Sequence, residues 1–312
     1  MLNLRPIATG LCGIVASGFG VAELFGQGTP ARASAPLAIE AHVVNQAGDP
    51  VTGLRPDQFQ VLIGGREHVV TAARFITGRT TFILAIDQTS FGAASVPAAR
   101  DAARRLMSRI GAEDALGLIA FPGTISIPPA TNRPPISAAI EKIAGLSGDA
   151  PADERAAKSV SGLDATVRAL GAIPGRKTLV VVSAGIAMPK ESAAVAALTE
   201  ETATFARAAE AAGVTLNVLF LEWNDIRTHG PRLFSFARTT GGTFYQLGLG
   251  ADRYVGNLVK DASSYYMLDV APLDTERDGK EHVLTVTLID TRLATLRART
   301  AVTIPAKLSG PF

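Results

Sequence analysis

Hydrophobic positions along the chain change their period twice. From Ala38 to Ile76 they alternate: Ile39, Ala41 and Val43 are separated by Glu40 and His42, the turn NQAGDP follows, and FQVLI runs through Gly64-Gly65 into REHVV. Alternation broken by a glycine pair predicts short strands and a two-residue hairpin, hence a small antiparallel unit. From Thr80 the pattern becomes unbroken apolar runs, TFILAID, ALGLIAF, TLVVVSA and VTLNVLF, of the length expected for strands covered on both faces. Between them apolar residues recur at helical spacing. The first set is Ala99, Ala103, Leu106 and Ile110, the second Ile136, Ile140 and Ile143, and the third Leu163, Val167 and Leu170. A fourth helix is predicted through EETATFARAAEAA, capped by Gly213. Strands alternating with helices predict an α/β fold with a doubly wound, mostly parallel sheet. Beyond Gly250 a helix through Tyr254, Leu258 and Ala262 leads to the strands YYMLDV and HVLTVTLID and a last strand near Ala301.

Both ends are therefore rich in strands, and two or three strands alone are only marginally stable in water. The simplest arrangement pairs residues 36–79 with 264–305 in one β-sandwich-like unit, with the α/β domain inserted between its halves. Two separate small appendages on the α/β domain are the alternative. The expected division is a signal peptide over 1–33, a β-rich segment over 34–79, the α/β domain over 80–250, and a helix plus strands over 251–312 that pair with the N-terminal segment.

Composition narrows the function. Lys and Arg number 30 against 28 Asp and Glu, a net charge of +2, and no segment carries the dense basic run that a phosphate-backbone binder uses, so nucleic acid is not an expected partner. Arg5 precedes an uncharged run from Pro6 to Ala22, and Ala31-Arg32-Ala33 offers a small-residue cleavage site before Ser34, which reads as a secretory leader. The protein is expected to be exported, periplasmic or secreted, touching a membrane only if the leader is retained as an anchor. Cleavage would remove Cys12, the one cysteine, and with it disulfides, thiolate metal sites and Cys nucleophiles. His42, His68, His229 and His282 match no metal-ligand spacing and read as surface or strand residues.

In open parallel sheets ligands bind beyond the carboxyl ends of the strands. The first long strand ends in Asp87, followed by Gln88, Thr89, Ser90 and Phe91. No glycine-rich phosphate cradle follows it, and no G-x-S-x-G elbow occurs, so neither a nucleotide cofactor nor an α/β-hydrolase triad is indicated. The Asp-ending strand, the hydroxyl-rich loop, the helix SVPAARDAARRLMSRI, then EDALGLIAF and GRKTLVVVSAGI together resemble a von Willebrand factor A domain, a Rossmann-like fold. The leader phrase VVNQAGDPVTGLRPDQFQV, with ARTTGGTFYQ, SYYMLDVAPLDTERDGKEHVLTV and TLRARTAVTIP downstream, resembles the bacterial exported VWFA-related proteins over about residues 38–305.

The resemblance implies a metal-ion-dependent adhesion site, where D-x-S-x-S, a Thr from another loop and a later Asp hold Mg²⁺ through oxygen ligands. Asp87 matches the first position and Thr89 keeps a hydroxyl at the second. Phe91 stands at the third without an oxygen, and Ala184 of Ser183-Ala184-Gly185 stands where the later Asp belongs. Ser159 and Ser161 both qualify for the Thr loop, and their spacing to Leu163-Asp164 does not choose between them. The site is thus read as degenerate, with Asp87 and Thr89 as vestigial metal positions, no metal or other cofactor expected, and Mg²⁺ the alternative. Without an ion, Asp87 is expected to accept backbone N–H bonds in its turn. Trp223, in the loop LEWNDIRTHGP, is an interface-anchor candidate or packs under its own loop. Arg100, Arg104, Arg105 and Arg109 read as a solvated helix flank. The resulting expectation is a non-enzymatic, exported protein-binding or scaffold protein using the strand-end surface at Asp87, Thr89, Ser90 and Trp223, with an unidentified protein partner. A Mg²⁺-dependent adhesion module of the same fold is the first alternative. A hydrolase using Ser90 or Ser183 beside Asp87 is the alternative of another class.

Overall fold

The alternating N-terminal segment forms four strands, β1 (Leu37–Asn45), β2 (Phe59–Ile63), β3 (Arg66–His68) and β4 (Val70–Thr77). The middle of the chain runs β5 (Thr81–Asp87), α1 (Val96–Arg109), β6 (Ala115–Phe121), β7 (Ser126–Ala130), α2 (Pro134–Ile140), α3 (Ala152–Leu170) and β8 (Lys177–Ser183). It continues with α4 (Ser192–Ala211), β9 (Val214–Phe220), α5 (Ile226–Thr239), β10 (Phe244–Gln246) and α6 (Ala251–Ala262). The last strands are β11 (Ser264–Val270), β12 (Glu281–Leu288), β13 (Ala294–Ala298) and β14 (Ala301–Thr303). This computed structural model describes residues 36–221, 226–248, 250–290 and 294–307, all within the unit Pro36–Phe312. The leader and Trp223 lie outside the described residues. Among the described residues no helix is long and apolar enough to cross a membrane.

The unbroken apolar runs become the interior of a six-stranded sheet ordered β10-β9-β8-β5-β6-β7, parallel throughout except for β7. Every residue of β8 and β9 is buried, as their composition requires of strands with helices on both faces. Successive residues point to opposite sides. Phe82, Leu84 and Ile86 pack under α1, α2 and α6, whereas Ile83 and Ala85 pack under α3, α4 and α5.

The remaining strands form two four-stranded sheets, ordered β13-β1-β11-β4 and β14-β12-β2-β3. The segment 38–76 is therefore not a self-contained antiparallel unit. β2 and β3 make the expected hairpin, but β1 pairs with β11 and β13, and β4 pairs with β11. Ile39, Ala41, Val43, Tyr266 and Leu268 of one sheet share a core with Phe59, Val61, Ile63, Leu284 and Leu288 of the other. Neither sheet could bury its apolar face against water, which is why each turns that face to the other. Tyr266 pins this core to the N-terminal loop: its hydroxyl donates to Val51 O and accepts from Leu54 N, both at 3.0 Å.

A buried cluster of charges ties β1 to the α/β part. Glu40 accepts from Arg176 Nε at 2.7 Å and from His42 Nε2 at 2.7 Å, and Asp261 pairs with Arg297. Burial disfavours a charged His42, but the Asp261 carboxylate and hydrogen bonds to Asp261 and Glu40 outweigh it and raise its pKa to about 9. His42 and His68 are thus buried strand residues, not surface ones, and His229 sits in a helix. The arginines of α1 also do more than face water. Arg104 pairs with Glu141, Arg105 pairs with Asp101 and Asp252, and Arg100 donates to Ile143 O, so the flank clasps the residues after α2 and the start of α6.

Candidate functional site

β6 lies on one side of β5 and β8 on the other, so the strand order reverses at β5 and β8. The chain leaves β5 toward the α1 face and β8 toward the α4 face, which opens a crevice beyond their carboxyl ends. Asp87 is the last residue of β5 and Ser183 the last of β8. The side chains of both are turned into the crevice floor, where Asp87 is 1% exposed.

There the Asp87 carboxyl is enclosed by hydroxyls. Oδ1 accepts from Thr89 Oγ1 at 2.7 Å and Ser159 Oγ at 2.9 Å, and Oδ2 accepts from Ser183 Oγ at 2.9 Å. Thr89 and Ser159 are themselves 2.8 Å apart. These four short contacts share three hydroxyl protons, and a proton on Asp87 would complete the set. Burial acts in the same sense, pushing the carboxyl above its ordinary range against the opposing hydrogen bonds from Thr89, Ser159 and Ser183.

Asp87 thus keeps a backbone hydrogen bond from Thr89 in its turn, as expected, and is held in addition by side chains from three segments, which the turn alone does not foretell. One of these is Ser159, which lies on the buried stripe of α3 with Ala156, Leu163 and Thr166 and so faces β5, while Ser161 is exposed. Ser90 acts elsewhere, since its hydroxyl donates to Asp87 O at 2.7 Å and accepts from Ala184 N at 2.9 Å, joining the two strand ends. Phe91 is 2% exposed and packs into the apolar core beneath α1, and Ala184 is in the same core.

Above this floor is a cavity of about 250 Å³ lined by Ser90, Gly92, Arg155, Ser159, Gly185 and His229, among others. Gly185 has φ +109, and a Cβ there would stand 2.6 Å from His229 Cβ and 2.7 Å from His229 O, so glycine is what lets α5 close against the strand end. The contact is reinforced by Ile186 N donating to His229 O at 2.8 Å and Met188 N to Thr228 O at 3.0 Å. Arg155 and His229 carry no signal in the sequence, since neither lies in a strand-end motif. A larger groove of about 1500 Å³ continues from the cavity between α3, α4 and α5.

No family model and no curated protein matches the chain. Among solved structures, the crystal structure of an aerotolerance-related membrane protein from Bacteroides fragilis, carrying multiple mutations to serines, is similar at 16% identity. The match covers 59% of this chain and 98% of that one, with a TM-score of 0.40.

Proposed function

We propose that this is a non-enzymatic, exported protein-binding or scaffold protein, built on a von Willebrand factor A-like domain with a degenerate adhesion site that works without a metal ion. In this reading the two four-stranded sheets are a sandwich-like mount for the α/β part. The observation that carries it is the closure of Asp87. Both carboxyl oxygens are engaged by Thr89, Ser159 and Ser183, and the two further positions where oxygen ligands belong are Phe91 and Ala184, packed in the core. Such a donor set does not fit Mg²⁺, which demands near-octahedral oxygen coordination. The same hydrogen bonds favour binding over hydrolysis: Ser183 donates to Asp87 and Ser90 to a backbone carbonyl, and the ring of His229 is hydrogen-bonded to Thr228, with neither serine among its hydrogen-bond partners.

The test is thermal unfolding of the full chain with Mg²⁺ or with EDTA, beside capture of partners from the native host under both conditions. Equal melting temperatures and EDTA-insensitive capture are expected. Saturable Mg²⁺ stabilisation that Asp87→Ala abolishes would overturn the reading in favour of the Mg²⁺-dependent adhesion module.

A further inference from the structure

The cavity over the strand ends is polar, and none of the described residues lining it is acidic. Arg155 is half-buried in its wall, and its guanidinium makes one hydrogen bond, from Nη1 to Ala150 O at 2.6 Å, with no carboxylate in ion-pair reach among the described residues. His229, on the same wall, contacts Thr228 Oγ1 through Nδ1 at 2.9 Å, which leaves Nε2 without a hydrogen-bond partner among the described residues. Asp87 does not line the cavity, its oxygens being turned to the three hydroxyls beneath. A half-buried guanidinium with spare N–H groups, in a cavity with no acid among its described lining residues, offers charge-assisted hydrogen bonds that an anion can accept.

From this we infer that the cavity bounded by Arg155, His229 and Ser90 is a binding site for a single carboxylate group, held directly by the Arg155 guanidinium. One fixed positive charge matches a monoanion, and the planar fork matches the two oxygens of a carboxylate. A phosphate dianion would leave a negative charge unbalanced beside a single arginine. The volume, about 250 Å³, is below the range of drug-sized pockets and suits one small acid or one acidic side chain entering from a partner. This deepens the proposed binding role by naming the chemistry the strand-end surface recognises, and it rests on that reading only for the identity of the carrier.

The experiment is a titration of the full chain, followed by the Arg155 Nε–H and His229 ring resonances. One arm uses acetate and propionate as free acids. The other uses N-acetyl-glutamate N-methylamide, whose single carboxylate hangs from a peptide-like backbone. Saturable shifts of the Arg155 signal are expected in at least one arm, and the arm that binds more tightly identifies a free acid or a protein-borne side chain as the source. Arg155→Gln should weaken binding about tenfold or more, with Arg155→Lys intermediate and the rest of the amide spectrum unchanged. An Arg155 signal that no carboxylate moves, or that chloride and phosphate move equally, overturns the inference. So does unweakened binding in a folded Arg155→Gln protein. A failure here with EDTA-insensitive partner capture intact would remove the carboxylate site and leave the metal-independent binding role standing.

Discussion

Ser183 and Asp87, the final residues of two neighbouring parallel strands, are joined by a 2.9 Å hydrogen bond at the point where the sheet reverses its order. The bond seals the floor of the crevice. Ser183 also accepts from Gly185 N at 2.9 Å, so the turn out of β8 is set by the same hydroxyl that satisfies Asp87. The site is thereby coupled to the fold: its central acid is a structural member of the strand ends.

Asp87→Ala should therefore destabilise the chain irrespective of metal. The hydroxyls of Thr89, Ser159 and Ser183 would lose their common acceptor inside the protein, and a buried donor without a partner costs about 1–3 kcal/mol. Because Thr89 and Ser159 can still bond each other, a total on the order of 3 kcal/mol is expected. Asp87→Asn, which keeps one acceptor oxygen, should cost less. Urea unfolding in Mg²⁺ and in EDTA checks this, and an Asp87→Ala protein as stable as wild type would refute the structural role of the acid.

Restoring ligands should fail for a related reason. Phe91→Ser replaces a core aromatic ring with a hydroxyl, and deletions of this size cost about 3–5 kcal/mol. Ala184→Asp would place a carboxylate in the same apolar cluster. The double variant is expected to unfold at lower denaturant than wild type, with no compensating stabilisation by Mg²⁺. A Mg²⁺-dependent recovery of the midpoint would mean that the strand-end loops can rearrange around an ion.

The inner strands of the large sheet were legible because β5, β6, β8 and β9 are covered on both faces and so are written as unbroken apolar runs. Edge and irregular elements were not. β7, Ser126–Ala130, contains two prolines, which an edge strand tolerates because one side of it needs no ladder donors. α5 was hidden by Gly230-Pro231, which has the composition of a loop. In the structure Pro231 lies inside the helix, and the carbonyls of Thr228 and His229 accept from Met188 and Ile186 of the neighbouring loop. A signal was present in Leu233, Phe236 and Ala237, which continue the helical spacing beyond the proline. The choice between Ser159 and Ser161 was also open to the helical period, since only Ser159 falls on the apolar stripe through Ala156 and Leu163. α2 ends at Ile140, short of Ile143, which instead closes a turn through its N–H to Ile140 O.

Gly185→Ala should test how tightly α5 is closed on the site. The backbone there occupies φ +109, and the added Cβ would collide with the backbone oxygen and Cβ of His229. Strain of this kind costs of order 1–3 kcal/mol, and relieving it would move the start of α5 away from β8. A stability loss is expected together with changed amide shifts at Ile186 and His229. Unchanged shifts at both positions would show that the close approach does not constrain the helix.

Stability should depend on pH through the cluster that fastens β1 to the α/β part. Glu40 is opposed by burial, but the hydrogen bond from His42 and the charge of Arg176 pull its pKa down to about 2 from an ordinary value of 4.5. His42 is raised to about 9 from 6.5, with Asp261 and Glu40 favouring its cation. Arg176 Nη2, 3.3 Å from His42 Nε2, opposes that charge, and Glu40 lies against both, accepting from each. Asp261 is lowered against its burial by the charges of His42 and Arg297. A raised histidine stabilises the native state fully below 6.5 and loses that contribution as pH rises through about 9. A lowered carboxylate stabilises above 4.5 and loses its contribution as pH falls toward about 2. The cluster should therefore contribute most between these limits and decline on both sides. The alkaline loss from His42 is on the order of 3 kcal/mol. His42→Gln is expected to be less stable at about pH 6 and to remove most of the decline between about pH 6 and pH 10. Urea midpoints of wild type and variant across that interval decide the matter, and parallel curves would show that His42 does not carry the linkage.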